Sequence, residues 1–243
     1  MRPETAARLL NLNREFYRRF ASAFASKRAR LQPGAARAIQ RVPPDDSVLD
    51  LGCGHGLLAA SLAAGGHRGR YVGLDSSAEL LETARRSHRH PSAVFLLSDL
   101  AESGWANALE GKDPASFHWA FALAALHHLP GDELRRSVAE ATRSWLLPGG
   151  HMVVSVWDFL ASPRWKDRMV AWSEVDLAQA ELDPGDYLLD WREGGRGLRY
   201  VHHFTPEALT ELAQAAGFRV EETFRSDGER GRLGLYQVWG IDA

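Results

Sequence analysis

The chain has 243 residues, 45% of them hydrophobic and 25% charged, which suits a globular protein able to bury one large core with an insertion. The single cysteine, Cys53, excludes an internal disulfide and a multi-cysteine zinc site, so no metal is expected and a reducing, cytoplasmic setting is the natural reading; no signal sequence is apparent, and no stretch approaches the about 18 apolar residues of a membrane span. The net charge of -2 is uneven, because residues 1–41 hold ten Lys or Arg against Glu4 and Glu15, so a polyanion such as RNA would meet that end first, unless it is simply a solvated basic face.

Residues 4–30 read as a helix, with Leu9, Leu12, Phe16, Phe20 and Phe24 recurring every three or four positions to make one apolar face. Pro33 and Gly34 break it, a short helix follows to about Arg41, and Pro43-Pro44-Asp45-Asp46 turns into the first strand. Strands are expected at 47–51, 70–75, 93–97, 117–123 and 150–157, with helices near 56–64, 77–88 and 131–145. After Trp157 the alternation stops, and 158–203 read as an inserted lid without a clear period. A helix from about Pro206 to Ala216 ends at Gly217, and strands at 218–225 and 233–240 make a closing antiparallel hairpin around the turn Ser226 to Gly231. The expected fold is α/β: a Rossmann-like, mostly parallel seven-stranded sheet with helices on both faces, an N-terminal helical cap and a lid after the fifth strand. The implied organisation is a cap over 1–46, a cofactor-binding core over 47–157, the lid over 158–204, and a C-terminal helix and hairpin over 205–243.

Val48-Leu49-Asp50-Leu51-Gly52-Cys53-Gly54-His55-Gly56 is an apolar strand running into a glycine-rich turn that opens a helix. Glycine at such a turn lets a ligand approach the backbone where no Cβ intervenes. Asp50, just ahead of the first glycine, disfavours a pyrophosphate and favours a cationic group, and no phosphate-binding lysine follows the loop. Asp75 ends the next strand, where a carboxylate accepts bonds from both ribose hydroxyls in nucleotide sites. Asp99, in Leu97-Ser98-Asp99-Leu100, ends the third strand, within reach of an adenine amino group. Helix capping explains any one of these acids; it is a poor explanation of all three.

In order, these segments resemble the class I S-adenosylmethionine-dependent methyltransferases. Val48 to Gly56 is similar to the family's first motif, Tyr71 to Ser77 to the second, and Ser98-Asp99-Leu100 to the adenine contact. Leu126-His127-His128-Leu129-Pro130 and Leu147-Pro148-Gly149-Gly150 are similar to its later segments, while Phe117-His118-Trp119 lacks the acid usual there. The resemblance implies S-adenosyl-L-methionine as cofactor, held by Asp50, Gly52, Cys53, Gly54, Gly56, Asp75, Ser76, Ser98, Asp99, Leu100 and Leu123. Three flanking stretches resemble a narrower group, the tRNA wobble-uridine 5-carboxymethyl methyltransferases: Tyr17 with Phe24 and Arg28, Val154-Ser155-Val156-Trp157, and Arg199-Tyr200-Val201-His202-His203-Phe204. That pattern would bring Tyr17 and Arg28 to the cofactor.

Methyl esterification needs orientation and desolvation of an anion more than a base, and guanidinium groups hold anions through paired hydrogen bonds, so Arg199 and Arg28 are candidate acceptor clamps. A surface ion pair explains either equally well. Histidine is the candidate for taking a proton from an alcohol, phenol or amine acceptor. His127 and His128 follow the fourth strand, His202 and His203 end the lid, and His127 and His202 are the preferred pair. Three functions compete: methyl transfer to tRNA, methyl transfer to a small molecule under a lid whose Trp165, Trp172 and Trp191 line an apolar pocket, and a non-catalytic partner subunit. An activating partner is conceivable, whereas no DNA or membrane partner is expected.

Overall fold

The computed structural model describes residues 1–27, 30–87, 89–109, 111 and 116–242. In chain order its principal elements are α1 (Pro3–Lys27), α2 (Pro33–Ile39), β1 (Val48–Leu51), α3 (Leu57–Ala64), β2 (Tyr71–Asp75), α4 (Ala78–Ser87), β3 (Ala93–Leu97), β4 (Phe117–Leu123), α5 (Asp132–Ser144) and β5 (Leu146–Trp157). There follow α6 (Pro163–Lys166), β6 (Met169–Val170), β7 (Asp186–Trp191), β8 (Gly197–His202), α7 (Pro206–Ala215), β9 (Arg219–Ser226) and β10 (Gly234–Gly240).

Seven strands form one sheet in the order β3-β2-β1-β4-β5-β10-β9. The first five run parallel, and β10 lies antiparallel between β5 and β9. Alternate side chains feed two cores because both faces are covered. Val48, Phe121 and Val153 pack on one face with Leu58 of α3, and Leu49, Ala120 and Val154 on the other with Val138 of α5. The sequence pattern therefore identified the right fold. Its error was at β5, which begins at Leu146 rather than Gly150: the register against β4 jumps from Phe117–Leu146 to Trp119–His151, and the extra residues bulge out at Gly149, whose φ is 73°. Pro33, read as a breaker of the first helix, also occupies the first turn of α2, where its missing N–H costs nothing.

The lid is more regular than expected. β6, β7 and β8 form a second, antiparallel sheet. Its strands carry no polar alternation because both sides are covered. Leu188 and Tyr200 pack with Leu9 and Trp172 on one side, and Leu189 and Val201 pack with Phe159 on the other.

Helix α1 docks on this lid through the stripe Leu9, Asn13, Phe16 and Phe20, all buried; the side chain of Phe24 lies outside the described residues. Asn13 joins three parts of the chain. Its Oδ1 accepts the Tyr200 N–H (2.9 Å), and its Nδ2 donates to the carbonyls of Tyr200 (3.1 Å) and His128 (3.1 Å). The amide thus pairs with β8 much as a neighbouring strand would, and also grips the loop after β4. Replacing Asn13 with Ala leaves buried backbone groups unsatisfied and should lower unfolding stability by about 2 to 3 kcal/mol. Urea denaturation reads this; a loss under about 0.5 kcal/mol would mean that the apolar stripe and the other polar contacts of α1 hold it without the amide.

Candidate functional site

Strand β1 delivers Asp50 to the carboxyl edge of the sheet, and the turn after it runs through Gly52, Gly54 and Gly56, all at positive φ. Gly54 illustrates why: at φ 55° its N–H turns back to donate to Asp75 Oδ2 at 2.8 Å. Ser77 N–H donates to the other oxygen of Asp75 at 2.8 Å, so the carboxylate at the end of β2 fixes the loop from both sides. Asp50 is buried and accepts a hydrogen bond from the Tyr71 phenol. Burial pushes its carboxyl up to about 7, against the pull of that phenol. Burial raises the carboxyl of Asp75 too, with its backbone hydrogen bonds opposing. Asp99, beyond β3, accepts from Ala101 N–H (2.9 Å) and from Arg14 Nε of α1 (2.7 Å).

A cavity of about 580 Å³ opens over this edge. Asp50, Asp75 and Asp99 line one end; Arg14 and Tyr17 of α1 and Trp165, Trp191 and Arg199 of the lid line it from above. The cap and the lid therefore both wall the same space. Tyr17 lies 2.7 Å from His128 Nε2, and His128 Nδ1 faces the Tyr200 carbonyl at 3.2 Å. A carbonyl only accepts, so Nδ1 carries the proton and Tyr17 donates to Nε2. Arg199 is 2% exposed, with its guanidinium carbon 4.4 Å from the ring centre of Trp157, 5.2 Å from Phe16, 5.5 Å from Trp191 and 5.8 Å from Trp165. Stacked aromatic faces hold a guanidinium in a fixed plane while leaving its edge for hydrogen bonds.

The structure gathers most of the residues singled out in the sequence. Asp50, Gly52, Cys53, Gly54, Asp75, Ser76, Ser98, Asp99, Leu100, Leu123, Tyr17 and Arg199 all line the cavity. Gly56 does not: it begins α3, and a Cβ there would meet Ala84 Cβ at 3.0 Å, so its role is helix packing. Arg28 lies outside the described residues. His127 is fully buried, its ring packed on His128 and Trp157 rather than lining the cavity. His202 is also buried away from the cavity lining, with Nδ1 on Asp186 Oδ1 (2.8 Å), an oxygen that also accepts from the Tyr200 phenol. A buried carboxylate needs such donors, and this explains the histidine without chemistry. The histidines that line the cavity are His55 and His128. Trp172, expected as pocket lining, is buried in the lid core. Arg14, Asn13, Trp157 and Tyr236 line the cavity and were not marked as site residues; Trp157 lay within a flanking stretch that carried the resemblance, and Asn13 left a trace as an amide on an otherwise apolar helix face.

With this geometry in view, comparison with known proteins is direct. Residues 17–223 match the family described as methyltransferase domain. The trans-aconitate 2-methyltransferase of Azoarcus sp. (strain BH72) is 36% identical over 135 residues, 55% of this chain and 47% of that protein. The chain spans less than half the length of the curated relatives it matches, a typical figure being 40%. Among solved structures, a SAM-dependent methyltransferase from Methanosarcina mazei superposes with TM-score 0.66 at 20% identity, covering 88% of this chain and 99% of that one. The Burkholderia thailandensis 1,6-didemethyltoxoflavin-N1-methyltransferase, solved with 1,6-didemethyltoxoflavin and S-adenosylhomocysteine, superposes with TM-score 0.65 at 19% identity over 100% of this chain and 92% of that one. At such identities the structures establish a shared fold, and the match over residues 17–223 establishes more: the chain belongs to the methyltransferase-domain family.

Proposed function

We propose that the protein transfers a methyl group from S-adenosylmethionine to a small-molecule acceptor enclosed between the cap helix and the lid. The observation that carries this reading is one continuous cavity whose lining includes the carboxylates of β1 and β2 and the buried guanidinium of Arg199. Its volume falls within the roughly 300–1,000 Å³ typical of small-molecule sites. The residues suit the cofactor. Asp75 and the turn of Gly52 and Gly54 would hold its ribose and amino acid portion, Asp50 would face the cationic amino group, and Asp99 the adenine. When bound, S-adenosylmethionine supplies an electrophilic methyl group on a positively charged sulfur. The protein's part is to align an acceptor with that methyl and exclude water.

The narrower reading, a carboxymethyl group on tRNA wobble uridine, fits this geometry less well. The basic N-terminal segment is engaged at home: Arg2 pairs with Glu181, Arg14 with Asp99 and Glu102, Arg18 with Glu15, and Arg37 and Arg41 with Glu222. Arg8 donates to the carbonyls of Val175 and Asp176. Apart from Arg18, whose partner lies within α1, these arginines join the cap to the core and lid. The relatives named above, a trans-aconitate and a didemethyltoxoflavin methyltransferase, also carry small acceptors in their names. Arg199 retains the clamp role, holding an anionic group of the acceptor against the tryptophans.

Three measurements test these assignments. Asp75→Ala should weaken S-adenosylhomocysteine binding by about 1.5 to 3 kcal/mol in calorimetry, since a charged acceptor of two hydroxyl hydrogen bonds is lost; unchanged affinity removes Asp75 from the cofactor site. Because the Asp50 carboxyl lies at about 7 in the folded protein against 3.8 ordinarily, the ligand-free fold retains a proton that the unfolded chain releases. That contribution is fully present below pH 3.8 and is lost as pH rises through about 7, so ligand-free stability should fall across this window. A cationic ligand group favours the ionised form, so binding should strengthen by up to tenfold per unit as pH rises toward 7, and Asp50→Asn should flatten both profiles; a wild-type affinity flat from pH 5.5 to 8 would count against the pairing. Finally, Arg199→Ala should keep cofactor affinity while methyl transfer falls by about 2 to 5 kcal/mol in transition-state stabilisation. Near-normal transfer, or lost cofactor binding, would assign Arg199 another task.

A further inference from the structure

The polar turn between β9 and β10 reaches the cavity. Asp227 and Tyr236 both line the cavity wall, beside Ser155 of β5. The Tyr236 phenol donates to Asp227 Oδ2 at 2.5 Å, and Asp227 Oδ1 accepts the Gly34 N–H at 2.8 Å. Ser155 sits directly opposite Tyr236 across the β5–β10 pair, and both line the cavity. The Ala124 N–H, at the end of β4, donates to Ser155 Oγ at 3.0 Å.

The donors and acceptors give this chain one direction. A backbone N–H only donates, so Ser155 Oγ accepts from Ala124 and has its own proton free to point at Tyr236; the phenol's proton is already committed to Asp227. The chain ends on a carboxylate that can receive a proton. Its backbone is specially shaped at both ends: Ala124 and Asp227 are non-glycine residues at φ 53° and φ 67°. Strained positions of this kind cluster at functional sites. Two glycines clear room for the ring. A Cβ on Gly34 would collide with Tyr236, and one on Gly234 would lie 2.6 Å from Asp227 Oδ2 and 2.8 Å from the Tyr236 ring.

We propose that Ser155, Tyr236 and Asp227 form a proton relay that faces the acceptor, and that the methylated atom is a hydroxyl oxygen on a small molecule whose anionic group Arg199 holds. This rests on the methyl-transfer reading above. In the reaction the acceptor oxygen forms its bond to the methyl carbon as the methyl–sulfur bond breaks, with its electron pair left on a neutral thioether. The acceptor's proton passes to Tyr236 Oη, directly or through Ser155, while the phenol's own proton moves to Asp227 Oδ2. Ser155 and Tyr236 touch the acceptor, and Asp227 acts through Tyr236.

The test uses the full chain saturated with S-adenosylhomocysteine and a defined probe set: benzoate, the three hydroxybenzoates, the hydroxycinnamates and cinnamate, titrated by calorimetry. At least one hydroxylated probe should bind ten times or more as tightly as its unhydroxylated parent. Tyr236→Phe and Ser155→Ala should each erase most of that advantage, while leaving the affinities for the parent acid and for S-adenosylhomocysteine within about threefold. With S-adenosylmethionine, methylation of the hydroxylated probe should fall about 100-fold or more in Tyr236→Phe, the usual scale for losing a positioned base. A wild-type protein that binds S-adenosylhomocysteine yet draws no distinction between hydroxylated probes and their parents overturns the relay, as does a Tyr236→Phe variant that keeps the distinction. Failure to bind S-adenosylhomocysteine at all would instead overturn the methyl-transfer reading.

Discussion

The cavity exists because one buried amide holds its roof. Without the bonds from Asn13 to Tyr200 and His128, α1 would be held by apolar contact, a force without direction, together with the Tyr17–His128 bond and the exposed contacts of Arg2, Arg8 and Arg14. The amide fixes the helix in both rotation and height. One residue on, Arg14 then falls over Asp99; one turn on, Phe16 reaches Arg199 and Tyr17 reaches His128. The cap, the lid and the core loop are therefore a single closed unit, although they are distant in sequence.

Within that unit charged groups of both signs face the cavity. Carboxylates gather at the ends of β1, β2 and β3, and a desolvated guanidinium sits at the far wall. A cationic methyl donor and an anionic acceptor would each find the opposite charge, and low-dielectric walls strengthen both attractions relative to water. Asp50 shows the cost of this arrangement. Burial makes its ionised form unfavourable until a cation arrives, so the ligand-free site holds a tension that binding relieves. The tryptophans around Arg199 serve the same end, keeping water from the guanidinium while satisfying its faces.

The sheet and the cofactor end of the cavity were legible because local rules dictate them. Strand β1 must end at a glycine turn, and Asp75 and Asp99 follow at strand ends where the parallel topology brings them together. The lid resisted the same reading: Leu188 and Leu189 are both buried, so β7 lacks the polar alternation that marks a strand. His202 was a false lead for a related reason. Extended backbone predicts that His202 and His203 face opposite ways but not which way is inward, and the buried Asp186 decides that. Tyr236 and Asp227 were hidden because their partners, Ser155 and Gly34, lie 81 and 193 positions away in the chain. Arg199 was legible as a residue, whereas its aromatic surroundings come from three separate segments.

The central claim is that the acceptor is a small molecule enclosed with the cofactor, and one experiment addresses it directly. The protein is incubated with methyl-labelled S-adenosylmethionine and a whole-cell extract, and the products are separated into tRNA and low-molecular-weight fractions. The account requires label in the low-molecular-weight fraction, dependent on Asp75 and Arg199. Label confined to tRNA, with none in small molecules, would contradict it.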